Sequence, residues 1–284
     1  MADIITVANK KGGVGKSTTV VNVAASMGVL GQRILVVDMD PQGNATSGLG
    51  IKKKKIESSV YDVIIGTKRI QDCIIKTDFD NLSVLPSNNN LTGADIELIE
   101  MENRANRLKM QLLSVKDDYD FIIIDSPPST SLITVNTLAA CDTVLIPMQC
   151  EYYSLEGLSQ VVDFIRSIKE RYNPNIDIEG ILFTMFDPRL NLTNQVADEV
   201  RKHFPKKTFD TVIPKNVRLS EAPSYGMPVY YYDKASKGSE AYEDLAIEIL
   251  ARHGITASPT RAKKETIAEK VGKLVKGKKA MAEK

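Results

Sequence analysis

The stretch Asn9–Thr18, NKKGGVGKST, carries the residue types that hold phosphate. Glycines at 12, 13 and 15 let backbone N–H groups, Val14's among them, curl around phosphate oxygens without a side-chain clash. Lys16 can reach the β- and γ-phosphates of a nucleotide, and the Ser17 hydroxyl can ligate Mg²⁺. The ordinary loop reads G-x-x-x-x-G-K-[ST], which puts a glycine five residues before Gly15. Position 10 is instead Lys10, followed by Lys11. A dinucleotide site is the nearest rival, because Asp38 lies about 20 residues on, where a ribose-binding acid would sit. That fingerprint needs a third glycine, which is missing, and Lys16-Ser17 suits a triphosphate with magnesium.

Two further segments end in carboxylates. ILVVDMDPQGNATS places Asp38 and Asp40 at the end of an apolar run, before a polar loop able to respond to a γ-phosphate. FIIIDSPPS ends another run in Asp125, with Pro127 and Pro128 fixing the loop after it. An unpaired charge at the end of a buried strand is costly, so Asp125 reads as a Mg²⁺-linked acid rather than a turn residue.

These residues need strands to end beneath them and a helix to start at Lys16. Apolar, β-branched runs at 4–8, 34–38, 82–86, 121–125, 143–147, 179–185 and 208–213 read as buried parallel strands. Helical patterns fall between them at 16–30, 92–115, 129–140, 154–172, 191–203 and 239–253. Strand and helix alternating in this way predict an α/β fold, a doubly wound, mostly parallel sheet with ligands at the carboxyl ends of strands. The suggestive residues lie at those ends.

The net charge of +1 excludes a uniformly basic coat but hides an uneven distribution. Residues 255–284 hold nine Lys or Arg against three Glu, a charge of +6, so residues 1–254 carry −5. The expectation is one domain over 1–254 and a disordered basic arm over 255–284 that tethers DNA weakly. Within that arm Ile267, Val271, Leu274 and Val275 share one helical face, a pattern a membrane helix could use, but Gly272 and the lack of aromatics weigh against it. Three cysteines without a C-x-x-C pair suit a reducing cytosol, and neither a leader pattern nor an apolar run near 18 residues is present.

With these residues in hand, the chain resembles the ParA/Soj family of chromosome- and plasmid-partitioning ATPases, within the MinD/ParA class of P-loop NTPases. The resemblance runs from residue 3 to about residue 252, through KGGVGKST, VVDMDPQGNATSGLG, YDFIIIDSPPS, PMQCEYYSLEGLSQ and VIPKNVRLSEAPSYGMPVYYYD. It implies ATP and Mg²⁺ as ligands, and it explains the lost glycine: Lys11 is the signature lysine that reaches the partner's phosphates across an ATP-bound homodimer. By the same resemblance Gly12 to Thr18 would cradle phosphate, with Lys16 as its main cation. Ser17, Asp40 and Asp125 would serve the metal, Asp40 would also orient the attacking water, and Pro214 and Asn216 would lie near adenine.

Basic residues are frequent between Arg189 and Lys237, with tyrosines interleaved. The resemblance assigns Arg189 and Arg218 to nonspecific double-stranded DNA, and a ParB-type centromere-binding protein to the role of hydrolysis-stimulating partner. The expected product is a cytoplasmic, nucleoid-associated switch with slow intrinsic ATP hydrolysis. Two alternatives stay open: a MinD-like membrane-associated positioner, and a structural DNA-binding protein whose ATPase is vestigial.

Overall fold

Seven strands form one sheet in the computed structural model, which describes residues 1–261. They are β1 (Asp3–Val7), β2 (Ile34–Asp38), β3 (Ile75–Lys76), β4 (Leu82–Leu85), β5 (Phe121–Asp125), β6 (Thr143–Gln149) and β7 (Asp177–Thr184). Their spatial order is β3-β4-β2-β5-β1-β6-β7, and only the β3–β4 pair is antiparallel. The helices are α1 (Lys16–Val29), α2 (Asn44–Gly48), α3 (Val60–Ile65), α4 (Ala94–Ile99), α5 (Arg107–Leu112) and α6 (Leu132–Ala140). They continue with α7 (Ser154–Arg171), α8 (Asn191–His203), α9 (Val217–Glu221), α10 (Val229–Tyr232) and α11 (Lys237–Arg252).

Successive strand residues point to opposite faces, and each face has its own core. Ile5, Val7, Val36 and Ile123 pack under α1 and α11, against Val20, Ala24, Leu245 and Ile249. Ile4, Leu35, Ile122 and Ile124 face the other layer, with Leu108, Leu138, Ile165 and Val196. Covered on both sides, β2 and β5 are buried at every position, which is why they read as unbroken apolar runs. From β1 the chain crosses β5 to reach β2; from β5 it crosses β1 to reach β6. The winding direction therefore reverses around β1 and β5, and a crevice opens at their carboxyl ends.

Two expected elements form differently. The pattern at 92–115 folds as α4 and α5 with a break between them. Asn103 takes a left-handed φ of 53°, Arg104 caps the Ile99 carbonyl, and the Asn136 amide of α6 bonds the Arg104 carbonyl. These ties are tertiary and override the local helical pattern. The run at 208–213 is not a strand; it touches the β7 edge only near its ends. In its middle, the N–H groups of Asp210 and Thr211 donate to the Glu248 carboxylate of α11 at 2.9 and 3.0 Å, so no ladder forms there.

The arm expected from residue 255 is docked as far as Arg261. Thr260 donates its N–H and hydroxyl to buried Glu243 at 2.7 and 2.6 Å, and Arg261 donates to the Glu240 carbonyl at 3.0 Å. Residues 262–284, and the expectations placed on them, lie outside the described residues. No helix among the described residues is long and apolar enough to cross a membrane.

At the opposite end of the sheet from the crevice, His253 closes α11 onto the strands. Its Nδ1 lies 3.0 Å from Asp3 and its Nε2 3.2 Å from Glu179, which also accepts from Thr143 at 2.7 Å. The hydrogen bond to Glu179 raises the His253 pKa against the opposing effect of burial, with help from Asp3. A raised folded pKa stabilises the protein fully below the unfolded value of about 6.5 and loses that gain as pH rises through the folded value. Replacing His253 by Gln should therefore lower the melting temperature most near about pH 6, on the order of 2–4 °C. The deficit should shrink toward alkaline pH. A deficit that does not change with pH would rule out the ionic clamp.

Candidate active site

The phosphate loop is built from both directions. Asn9 closes its own turn by accepting from the Lys11 N–H at 3.0 Å, while its amide reaches the Pro147 carbonyl of β6 at 2.8 Å. From β6, Gln149 donates to the Gly13 carbonyl at 3.0 Å; from β7, Thr184 donates to the Val14 carbonyl at 2.9 Å. With these carbonyls held outward, the loop's N–H groups are left for a ligand. Gly13 and Gly15 have φ of 75° and 88°, a region where a side chain would be strained. Gly15 caps α1 without any side-chain acceptor, so the first N–H groups of that helix remain available to an anion.

A cleft of about 690 Å³ opens over this loop. Gly12, Gly13, Gly15, Lys16, Ser17 and Thr18 line it from one side, and Asp40 from another. Val14 is buried and contributes backbone alone. Lys16 is buried, with its ammonium donating to the Lys11 carbonyl at 3.2 Å. Burial lowers its pKa, while Asp125 and Asp40 favour the charged form. Pro214 and Asn216 line a smaller cavity of about 130 Å³ that shares Gly15, Thr18 and Met185 with the main cleft. Met185, one of these shared residues, is a non-glycine residue at φ 52°.

Sequence places Asp38 and Asp40 together; their environments separate them. Asp38 is fully buried and accepts from Thr46 N–H and hydroxyl at 2.8 and 2.7 Å and from the Asp40 N–H at 3.1 Å. Burial pushes its pKa up to about 6. It organises the 39–46 loop and does not line the cleft. Asp40 does line it, with one oxygen held by the Gln42 N–H at 2.9 Å.

Asp125 pairs in register with Asp38 across β5 and β2. Among the described residues neither of its carboxylate oxygens completes a hydrogen bond, although both are fully buried. Burial and the Asp38 carboxylate hold its pKa well above the usual range, and Ser17 and Lys16 beside it oppose that rise. An orphaned buried carboxylate next to a hydroxyl has the unmet bonding capacity that a hard cation satisfies. No group of three or more His, Cys, Asp or Glu among the described residues could hold a metal alone. That donor set suits Mg²⁺, which takes one or two protein oxygens and leaves the rest to phosphate and water.

A family described as an AAA domain matches residues 2–178. The sporulation initiation inhibitor protein Soj of Bacillus subtilis is 52% identical over 251 residues, covering 88% of this chain and 99% of Soj. The chain belongs to the Soj/ParA family of partitioning ATPases. The chromosome partitioning protein ParA of Myxococcus xanthus is 50% identical over 88% of each chain. Among solved structures, one named cobyrinic acid a,c-diamide synthase from Mycobacterium smegmatis, with bound ADP and magnesium, superposes with a TM-score of 0.78. It is 32% identical, over 91% of this chain and all of that one. Like its Soj/ParA relatives the chain is an ATPase, using ATP with Mg²⁺.

The remaining residues suggested by the Soj/ParA motifs lie outside the cleft. Lys11 does not line it; half-exposed, it forms an ion pair with Glu151 of its own chain. Arg189 is tied to both oxygens of Asp187 at 2.8 and 2.7 Å, and Arg218 bridges Glu221 at 2.8 Å and Asp233 at 3.1 Å. Asn9, Thr46, Gln149 and Thr184 were missed by the sequence reading. Thr46 and Gln149 stand inside the Soj/ParA-like motifs, but only the fold reveals what they hold.

Proposed function

We propose that the chain is an ATP-dependent dimerising switch that binds DNA without sequence preference and is reset by slow, partner-stimulated hydrolysis. The observation that carries this reading is the position of the two lysines. Lys16 is the cation of its own cleft, while Lys11 stands at the rim, solvent-accessible, on an ion pair it can exchange. An exposed pair of that kind is worth about 1 kcal/mol or less, so a phosphate of a second copy can displace Glu151.

In this reading Lys16 and the N–H groups of Gly12 to Thr18 hold the phosphates. Pro214 and Asn216 border adenine. Ser17 and Asp125 would hold Mg²⁺, which neutralises phosphate charge when bound. Asp40 orients the attacking water and is the one acid among the described residues lining the cleft, which suits slow turnover. The reset would come from a DNA-bound, ParB-type partner, in keeping with relatives named for chromosome partitioning.

Arg189 and Arg218 would contact DNA phosphates by exchanging their carboxylate partners, all of which are at least partly exposed. Arg189→Ala and Arg218→Ala should weaken binding equally on unrelated duplexes, each lowering the salt slope by about one unit. Fluorescence anisotropy across a salt series, with ATP and with ADP, provides the test. Sequence-selective loss, or equal binding in both nucleotides, would count against the switch.

A further inference from the structure

The densest run of consecutive cations among the described residues sits in a segment that the motifs left unused. Ile51 anchors the chain to the α1/α11 core, and Lys52, Lys53, Lys54 and Lys55 follow as one exposed turn of 3-10 helix and its cap. Lys53 is engaged: its ammonium donates to the Gln42 carbonyl. Lys52, Lys54 and Lys55 make no ion pair among the described residues, and the neighbouring acid Glu57 makes none there either. Arg189 and Arg218, by contrast, are both committed to carboxylates. Like charges packed into one turn repel each other, and a polyanion relieves that repulsion.

Position adds to charge. The lysine turn adjoins α2, whose Ser47 and Gly48 line the nucleotide cleft. Gly50, just before it, packs so closely on Gly226 that an added side-chain carbon would stand 3.2 Å from the Gly226 carbonyl. Gly226 ends the short turn that continues α9, the helix of Arg218. The free lysines and Arg218 thus belong to segments packed together on one rim of the cleft. Lys53 ties the same turn to the loop after Asp40, where a side chain at Gly43 would meet Lys53 Cε at 3.0 Å. A loop that moves with the γ-phosphate would carry the lysines with it.

On the DNA-binding reading above, we propose that Lys52, Lys54 and Lys55 form a further contact surface for the phosphate backbone of double-stranded DNA, linked to the nucleotide cleft through Lys53 and Gln42. The contact is to phosphates and carries no sequence preference.

The test compares the full chain with K52Q/K54Q/K55Q, leaving Lys53 in place, by anisotropy on an unrelated duplex with ATP. The triple variant should lose about tenfold or more in affinity at low salt, and its salt slope should fall by about two to three units. ATP binding and ATP-driven dimerisation should be unchanged, and K52R/K54R/K55R should restore DNA binding. If the wild type binds duplex and the Gln variant keeps the same slope, the surface is wrong while the DNA reading stands. If the wild type binds no duplex with ATP, the DNA reading itself fails. Loss in the Arg variant as well would replace the charge argument by a local folding defect and overturn the proposal. So would retained DNA binding with lost binding to phosphatidylglycerol vesicles, which would make the surface a membrane contact.

Discussion

Lys16→Ala is expected to lose ATP affinity by roughly a hundredfold or more, and Lys11→Ala to leave monomer affinity close to wild type. The difference comes from burial. Lys16 is buried in the floor of the cleft, where burial already disfavours its charge and Asp125 and Asp40 sustain it. Removing one partner of a desolvated charge pair costs about 2–5 kcal/mol, and every 1.4 kcal/mol is a factor of ten in Kd. The loss should be larger than the charge alone would give, because Asp40 in the cleft and Asp125 beneath it would then stand near phosphate without their cation. Lys11 is half-exposed and its partner is Glu151, so its own cleft loses little. The property that Lys11→Ala should lose is the ATP-driven dimer. Titration calorimetry measures the first effect, and light scattering with ATP the second. A Lys11→Ala dimer of normal stability would remove the reason offered for the lysine at that position.

Those two lysines also mark how far sequence alone reaches. The loop's chemistry was legible because its demands are local: glycine where φ is positive, a lysine and a hydroxyl at the start of a helix. Asp125 was legible for a similar reason, since a carboxylate closing a buried run is expensive without a purpose. The Lys11–Glu151 pair spans 140 residues and has no local signature. Nor had the division of labour between Asp38 and Asp40, which depends on Thr46 folding back eight residues later to satisfy Asp38. The same limit applies to the break at 100–106 and the interrupted run at 208–213. Both are decided by side chains of α6 and α11 that bond the backbone from outside. The carboxylates that engage Arg189 and Arg218, namely Asp187 two residues before the one and Asp233 beyond the helix of the other, become visible as partners only in the folded chain.

Asp40→Ala should have the opposite signature to Lys16→Ala: ATP bound at least as tightly, with hydrolysis slowed by about a hundredfold or more. Asp40 faces the cleft with Lys16, so its carboxylate repels bound phosphates while Lys16 attracts them. Deleting it relieves that repulsion and removes the group proposed to orient water, so the ATP-bound dimer should accumulate. A purely structural role has to be separated from this one, because Asp40 also holds its own loop by accepting from the Gln42 N–H. Asp40→Asn decides between them: the amide oxygen can still accept that bond, while the charge is gone. If water positioning needs the carboxylate, both variants turn over slowly in a phosphate-release assay and both persist as dimers with ATP. If Asn restores turnover and Ala does not, Asp40 acts by shaping the loop. Wild-type turnover in both variants would move the catalytic role away from Asp40. The Gln42 carbonyl, which Lys53 holds from the other side, would then mark the next segment to test.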